Sequence, residues 1–177
     1  MKKVISILII FCIFLFIYFL QSNFFTWFNL AGIKPNLFVI LTLVLGLFAG
    51  RKIGISFGII LGLILDLLVG KKIGISGVML GIVGFIGGYF DKNFSKESRI
   101  TIILMVVGVT ALFEVGSYIT NIMLSSGVIE ILNFIKVLLI EMFYNVILTI
   151  ILYPIIQKYG YALENVFKNP QILTRYF

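Results

Sequence analysis

Histidine is missing from this 177-residue chain and cysteine occurs once, which excludes the commonest general base, the commonest metal ligand and any intrachain disulfide. The single Cys12 sits inside an apolar run and says nothing about redox compartment. Charge is scarce: Asp, Glu, Lys and Arg make up 12% of the residues, about half the share that covers a soluble domain. What fills the chain is apolar, with 61% hydrophobic residues and a mean hydropathy of +1.18, the composition of a polytopic membrane protein. Fourteen basic residues against seven acidic ones leave +7, which in such a protein reports orientation and contact with anionic lipid, not nucleic-acid binding. Walker and dinucleotide glycine patterns are absent, as is metal-ligand spacing, so no cofactor is expected and an enzyme is unmotivated.

Glycine is plentiful and ordered. Gly46, Gly50, Gly54, Gly58 and Gly62 recur at every fourth position, and the same step then reaches Asp66, Gly70 and Gly74. Four residues slightly exceed a helical turn, so Gly54, Gly58, Gly62 and Asp66 form a ridge almost without side chains, closed by a carboxylate. A second ridge follows at three- and four-residue steps: Gly74, Gly77, Gly81, Gly84 and Gly88. Lipid tails are as apolar as leucine, so membrane helices associate through close van der Waals contact, which small residues permit. Either the two ridges pack on each other, or one faces a partner subunit, a second copy of the chain included. The stretch also repeats, since Arg51-Lys52-Ile53-Gly54-Ile55-Ser56 returns as Lys71-Lys72-Ile73-Gly74-Ile75-Ser76.

Six apolar runs, at 4–20, 37–50, 53–69, 73–90, 100–124 and 137–157, predict an all-α integral membrane protein with about six transmembrane helices in one compact bundle. Residues 1–160 form that domain and 161–177 a short cytoplasmic tail, in which Leu163, Val166 and Phe167 recur at helical spacing. The first run is longer than a signal-peptide core and lacks a small-x-small cleavage site, so it is retained. Phe24, Phe25, Trp27 and Phe28 place the 21–36 connector at the headgroups. The 37–50 run is short for a crossing, but a re-entrant hairpin there would bury Arg51 and Lys52 in lipid. With six crossings and the N-terminus inside, Lys2, Lys3, Arg51, Lys52, Lys92, Lys96, Arg99, Lys158, Lys168 and Arg175 are cytoplasmic. Only Lys34, Lys71, Lys72 and Lys136 are outside, so both termini are expected in the cytoplasm.

Three acids fall inside these runs, where an ionisable side chain is a functional candidate. Asp66 closes the glycine ridge near the outer end of its helix. Glu114 shares a helical face with Ser117, Tyr118 and Asn121, and Glu141 with Tyr144, Asn145 and Thr149. Two such stripes facing each other make a polar pocket in the outer half of the bundle, or they serve interhelical hydrogen bonding alone.

The run Lys34-Pro35-Asn36-Leu37, then Gly46-Leu47-x-x-Gly50-Arg51-Lys52-x-Gly54, then Phe57-Gly58-x-x-x-Gly62-Leu63-x-x-Asp66-Leu67-Leu68, then Gly74 and its glycine-rich helix, resembles the rod shape-determining protein MreD family over most of residues 1–160. That resemblance implies a non-enzymatic component of the bacterial inner membrane that binds MreC and works beside MreB, RodA and a penicillin-binding transpeptidase in lateral wall synthesis. It also implies a fold similar to the substrate-binding subunits of energy-coupling-factor transporters. A vitamin-transporter subunit is therefore the alternative function. On the scaffold reading, the glycine ridge and Asp66 attach MreC, and the basic tail contacts MreB or the leaflet.

Overall fold

The computed structural model describes residues 2–69, 73–91, 96, 98–125 and 130–168. Six helices carry the fold: α1 (Lys2–Phe19), α2 (Leu37–Ala49), α3 (Arg51–Val69), α4 (Ile75–Phe90), α5 (Arg99–Ser125) and α6 (Ile131–Phe167). After α1 the chain continues through a π-helical turn, Leu20–Phe24, and a short turn, Phe25–Trp27. Among the described residues there is no strand, only a single bridge pairing Leu30 with Ile33.

Helix α2 is the axis. Its residues are apolar on every side, the pattern of a helix enclosed by protein, and eleven of its thirteen residues are buried. It touches all five other helices. Asn36 starts it, the side chain accepting from the Val39 N–H at 3.4 Å. Successive helices run antiparallel: Phe14 stacks near Phe38, Gly54 meets Gly46, Gly62 meets Gly77, Gly116 meets Met79, and Asn145 bonds Thr110. One end of the bundle thus gathers Asn36, Gly74 and the start of α6. The other gathers Gly50, Arg51, Arg99 and the end of α6.

Not all six helices have the length of a crossing. Lys2–Trp27, Arg51–Val69, Arg99–Leu124 and Ile131–Phe167 are long and apolar enough to span. The thirteen residues of α2 and sixteen of α4 rise only about 20 and 24 Å against a hydrocarbon core of about 30 Å. Helix α2, wrapped by its neighbours, has no lipid to match along its length.

Two boundaries differ from the sequence reading. Helix α6 begins at Ile131 inside the expected 125–136 connector and carries Pro154 without ending there. It also runs on to Phe167, past the expected tail boundary at 161, because Leu163 and Phe167 pack against the core. The tail's last apolar residues, Ile172, Leu173, Tyr176 and Phe177, expected as membrane or partner anchors, and the charges Lys71, Lys72, Lys92 and Arg175, lie outside the described residues.

The glycines of α3 are spent against α2 and α4. A methyl group at Gly54 would stand 2.5 Å from Gly46 Cα, one at Gly58 2.7 Å from the Leu80 carbonyl carbon, and one at Gly62 2.6 Å from Gly77 Cα. From the α4 side, Gly84 abuts the Gly54 carbonyl and Gly88 abuts Arg51, while Gly77 and Gly81 face the Leu63 and Ile59 side chains. Gly74 belongs to a different job, since nothing lies within 4 Å of a methyl there and its φ of +106° makes it the left-handed start of α4. Gly50, at φ +95°, joins α2 to α3 as a one-residue turn.

Gly58→Ala should therefore lower the melting temperature of the purified protein, by the equivalent of about 1–3 kcal/mol for overpacking against backbone. Gly108→Ala, with nothing within 4 Å, should leave it unchanged or slightly raised, as alanine favours helix. Thermal unfolding in detergent checks both, and equal losses would refute the close-packing account.

Candidate functional site

Asp66 ends the α3 ridge pointing at the start of α4. Its Oδ2 accepts from the Gly74 N–H at 2.8 Å and the Ser76 N–H at 3.1 Å, two of the amides a helix N-terminus leaves without intrahelical partners. The carboxylate is buried, and it meets the positive end of the α4 dipole. This is a cap supplied across a turn by the preceding helix. The left-handed glycine at 74 is what presents the amide to it.

Beside this cap lies a cavity of about 340 Å³, lined among others by Gln21, Asn36, Asp66, Ser117, Asn121 and Glu141. Side chains from the connector, α3, α5 and α6 thus converge, and both stripes expected from the sequence reach it. Glu114 stands next to Glu141. Glu141 is 6% exposed, and its Oε1, like Ser117 Oγ, is buried with no hydrogen-bond partner among the described residues.

Asn145, fully buried one turn below, does different work. Its Oδ1 accepts from the Asn36 N–H at 2.8 Å and its Nδ2 donates to Thr110 Oγ1 at 3.0 Å, so one amide ties the start of α2 to α5 and α6. Thr149 Oγ1 bonds the Asn145 carbonyl at 2.7 Å. Gln21 bonds the Pro35 carbonyl at 2.6 Å, and Tyr144 donates to the Phe28 carbonyl, holding the connector down. The sequence reading passed over Gln21, Asn36 and Thr110. Thr110 lies one turn before Glu114 on the same face, which was a usable signal; Gln21 and Asn36 reach the site only through the fold.

At the opposite end, Lys96 pairs with Asp91 and, at 2.7 Å, with Glu164, while Lys168 pairs with Asp91 at 2.6 Å and Glu164 at 3.2 Å. Lys168 also donates to the Leu47 carbonyl at 3.4 Å, and Gln157 to the Lys96 carbonyl. Burial pulls the Lys96 pKa down, but hydrogen bonds to Asp91 and Glu164 outweigh it and hold the ammonium above the usual lysine value. A lysine raised in the folded state stabilises fully below its unfolded pKa and loses that contribution as pH climbs through the folded one, so this clamp stays closed at neutral pH. Arg51 lies 4.0 Å above the Phe85 ring and Arg99 5.0 Å from Tyr153, while Lys52 is exposed.

Gly54-Ile55-Ser56-Phe57-Gly58 spells the Gly-x-Ser-x-Gly string of serine hydrolases, which corrects the expectation that this string is absent. Here it lies within the unbroken helix α3, Ser56 is exposed, and the chain has no histidine to act as its base. The strand-to-helix elbow that gives the string its chemistry is missing.

The fold and site define a polytopic helical membrane protein with a polar internal cavity at one end and a clamped basic surface at the other. The family model of the rod shape-determining protein MreD matches residues 1–162, and the chain belongs to that family, which places it in the determination of rod shape. Neither a search of curated proteins nor one of solved structures returned a match.

If Asp66 acts as the cap of α4, Asp66→Ala should cost about 0.5–2 kcal/mol and Asp66→Asn much less, since the amide oxygen still accepts. Chemical or thermal denaturation of the two variants checks this. Equal losses would show that the charge, not the acceptor, matters.

Proposed function

We propose that this protein is a non-enzymatic scaffold of the bacterial inner membrane, both termini cytoplasmic, that seats MreC in the cavity at the Asn36–Gly74 end. The observation that carries this is the pair of buried polar atoms, Glu141 Oε1 and Ser117 Oγ, that have no hydrogen-bond partner among the described residues. A buried polar group without a partner is costly, so an occupant that supplies one is favoured. The glycine ridge supports this, since its contacts are already made within α2, α3 and α4, while two of the three unpartnered buried side-chain atoms among the described residues belong to the cavity lining. The basic residues gather at the opposite end, the pattern of a cytoplasmic face, so the cavity opens outward. That same basic face, with the clamp holding α6 to the α4–α5 loop, is where MreB and anionic headgroups make contact. MreC held outside and MreB inside would couple the filament system to RodA and the transpeptidase.

The cavity also favours a second reading, a vitamin-binding subunit of an energy-coupling-factor transporter, because its volume falls within the range of small-ligand pockets. Binding would raise the melting temperature by mass action, and a panel of vitamins that leaves it unmoved would remove this reading.

Ser117→Phe, which fills the cavity without touching the glycine contacts, should cut co-purification of MreC at least tenfold and round up rod-shaped cells. Gly108→Ala serves as the control. Undiminished recovery of MreC with a properly inserted Ser117→Phe protein would overturn the scaffold reading of the cavity.

A further inference from the structure

The cavity exists because α2 is short. Helices α2 and α3 meet at the Gly50 turn and run antiparallel, α3 with nineteen residues against thirteen. The six-residue difference leaves the start of α2 about 9 Å below the end of α3. The step is walled but not filled. Phe38, Leu65, Val69, Ile75 and Phe113 give the hollow apolar sides. Several of its polar groups are already engaged: Asp66 accepts from the Gly74 and Ser76 amides, Asn36 Oδ1 from the Val39 N–H, and Gln21 Nε2 donates to the Pro35 carbonyl. Two buried oxygens on the same lining, Ser117 Oγ and Glu141 Oε1, have no hydrogen-bond partner among the described residues.

We propose that this hollow receives a phenolic side chain, a tyrosine carried by the bound partner chain, with its ring against the apolar walls and its hydroxyl at Ser117 Oγ and Glu141 Oε1. The proposal rests on the reading of the cavity as the partner's seat. A hydroxyl both donates and accepts, so it pairs with a serine hydroxyl and with a carboxyl oxygen whether or not that carboxyl holds a proton. An indole or an ammonium only donates, and an aliphatic side chain would leave both oxygens unmet at the cost of buried, unpaired polar groups. A carboxamide also donates and accepts, but it brings no ring to cover the apolar sides. A ring does, and Phe38 and Phe113 offer it aromatic neighbours. A cavity of about 340 Å³ has room for one such side chain. A single buried aromatic anchor with its polar tip paired is the form that the strongest contacts of protein interfaces take.

The full-length protein in phosphatidylcholine nanodiscs is titrated with N-acetyltyrosinamide while its melting temperature is followed, since a ligand of the folded state raises it by mass action. The phenylalanine analogue keeps the ring alone, the glutamine analogue the donor and acceptor alone, and the tryptophan analogue a ring with a donor only. The expected result is a saturable rise with the tyrosine probe and an apparent affinity about fivefold or more weaker for each of the other three. Glu141→Leu and Ser117→Ala should each weaken the tyrosine probe about threefold or more, and the two are read side by side so that misfolding of one leaves the test standing. Glu141→Gln, which still donates and accepts, should keep the affinity. No rise, equal affinity for any of the other three probes, unchanged affinity in both Glu141→Leu and Ser117→Ala, or loss of binding in Glu141→Gln overturns the proposal. Loss of the tyrosine response when phosphatidylglycerol, whose headgroup carries hydroxyls, is added to the nanodiscs overturns the partner source in favour of lipid. Binding of MreC is measured separately. A protein that answers the tyrosine probe but does not bind MreC loses the partner reading and keeps the phenol site, and one that binds MreC without that answer loses the phenol site alone.

Discussion

Contact between the backbones of α2, α3 and α4 is the constraint on which the rest of this molecule depends. Within lipid there is no hydrophobic gain in bringing apolar helices together, so association rests on dispersion, which falls off steeply with separation. Glycine at Gly46, Gly54, Gly58, Gly62 and Gly84 lets these helices meet where a single methyl group would overlap carbonyl groups or α-carbons. From that tight core several features follow. Helix α2 is enclosed and can be short. The α3–α4 turn is drawn in far enough for Asp66 to reach the amides of α4, and α5 and α6 close over the remaining sides.

Helix α6 connects the two ends that this arrangement creates. Glu141, Asn145, Thr149 and Gln157 recur at multiples of four residues, so polar groups wind slowly around the helix from the cavity to the Lys96 carbonyl. Beyond it Glu164 and Lys168 enter the ion-pair clamp with Asp91 and Lys96. Asn145 is the central member, because its two hydrogen bonds join three helices at the depth where α2 begins. Polar groups buried this way hold the helices in register, which apolar packing alone does poorly.

For function, the consequence is a change in where a partner would be sought. A ridge of small residues in a membrane helix invites assignment as an interface, but here that ridge is consumed inside the chain. Among the described residues, unpartnered buried atoms are found in the cavity lining, on Ser117 of α5 and Glu141 of α6. The two ends of this bundle, one polar and concave and one basic and clamped, differ in a way that suits two different partners.

Much of this was written in the sequence, because membrane segments announce themselves by composition and spacing. The apolar runs located all six helices, the four-residue step marked the glycine ridge, and the offsets around Glu114 and Glu141 placed two polar stripes, since each of these depends only on residues near one another along a helix. The shortness of α2 was visible in its run, but that of α4, and the continuation of α6 through Phe167, were not legible, because they depend on what surrounds a helix. The same holds for the site. That Asp66 caps α4, that Asn36 and Gln21 join the cavity, and that the glycines face inward were decided only by tertiary structure, for contacts between distant residues follow from how helices rotate and pack, which local spacing does not encode.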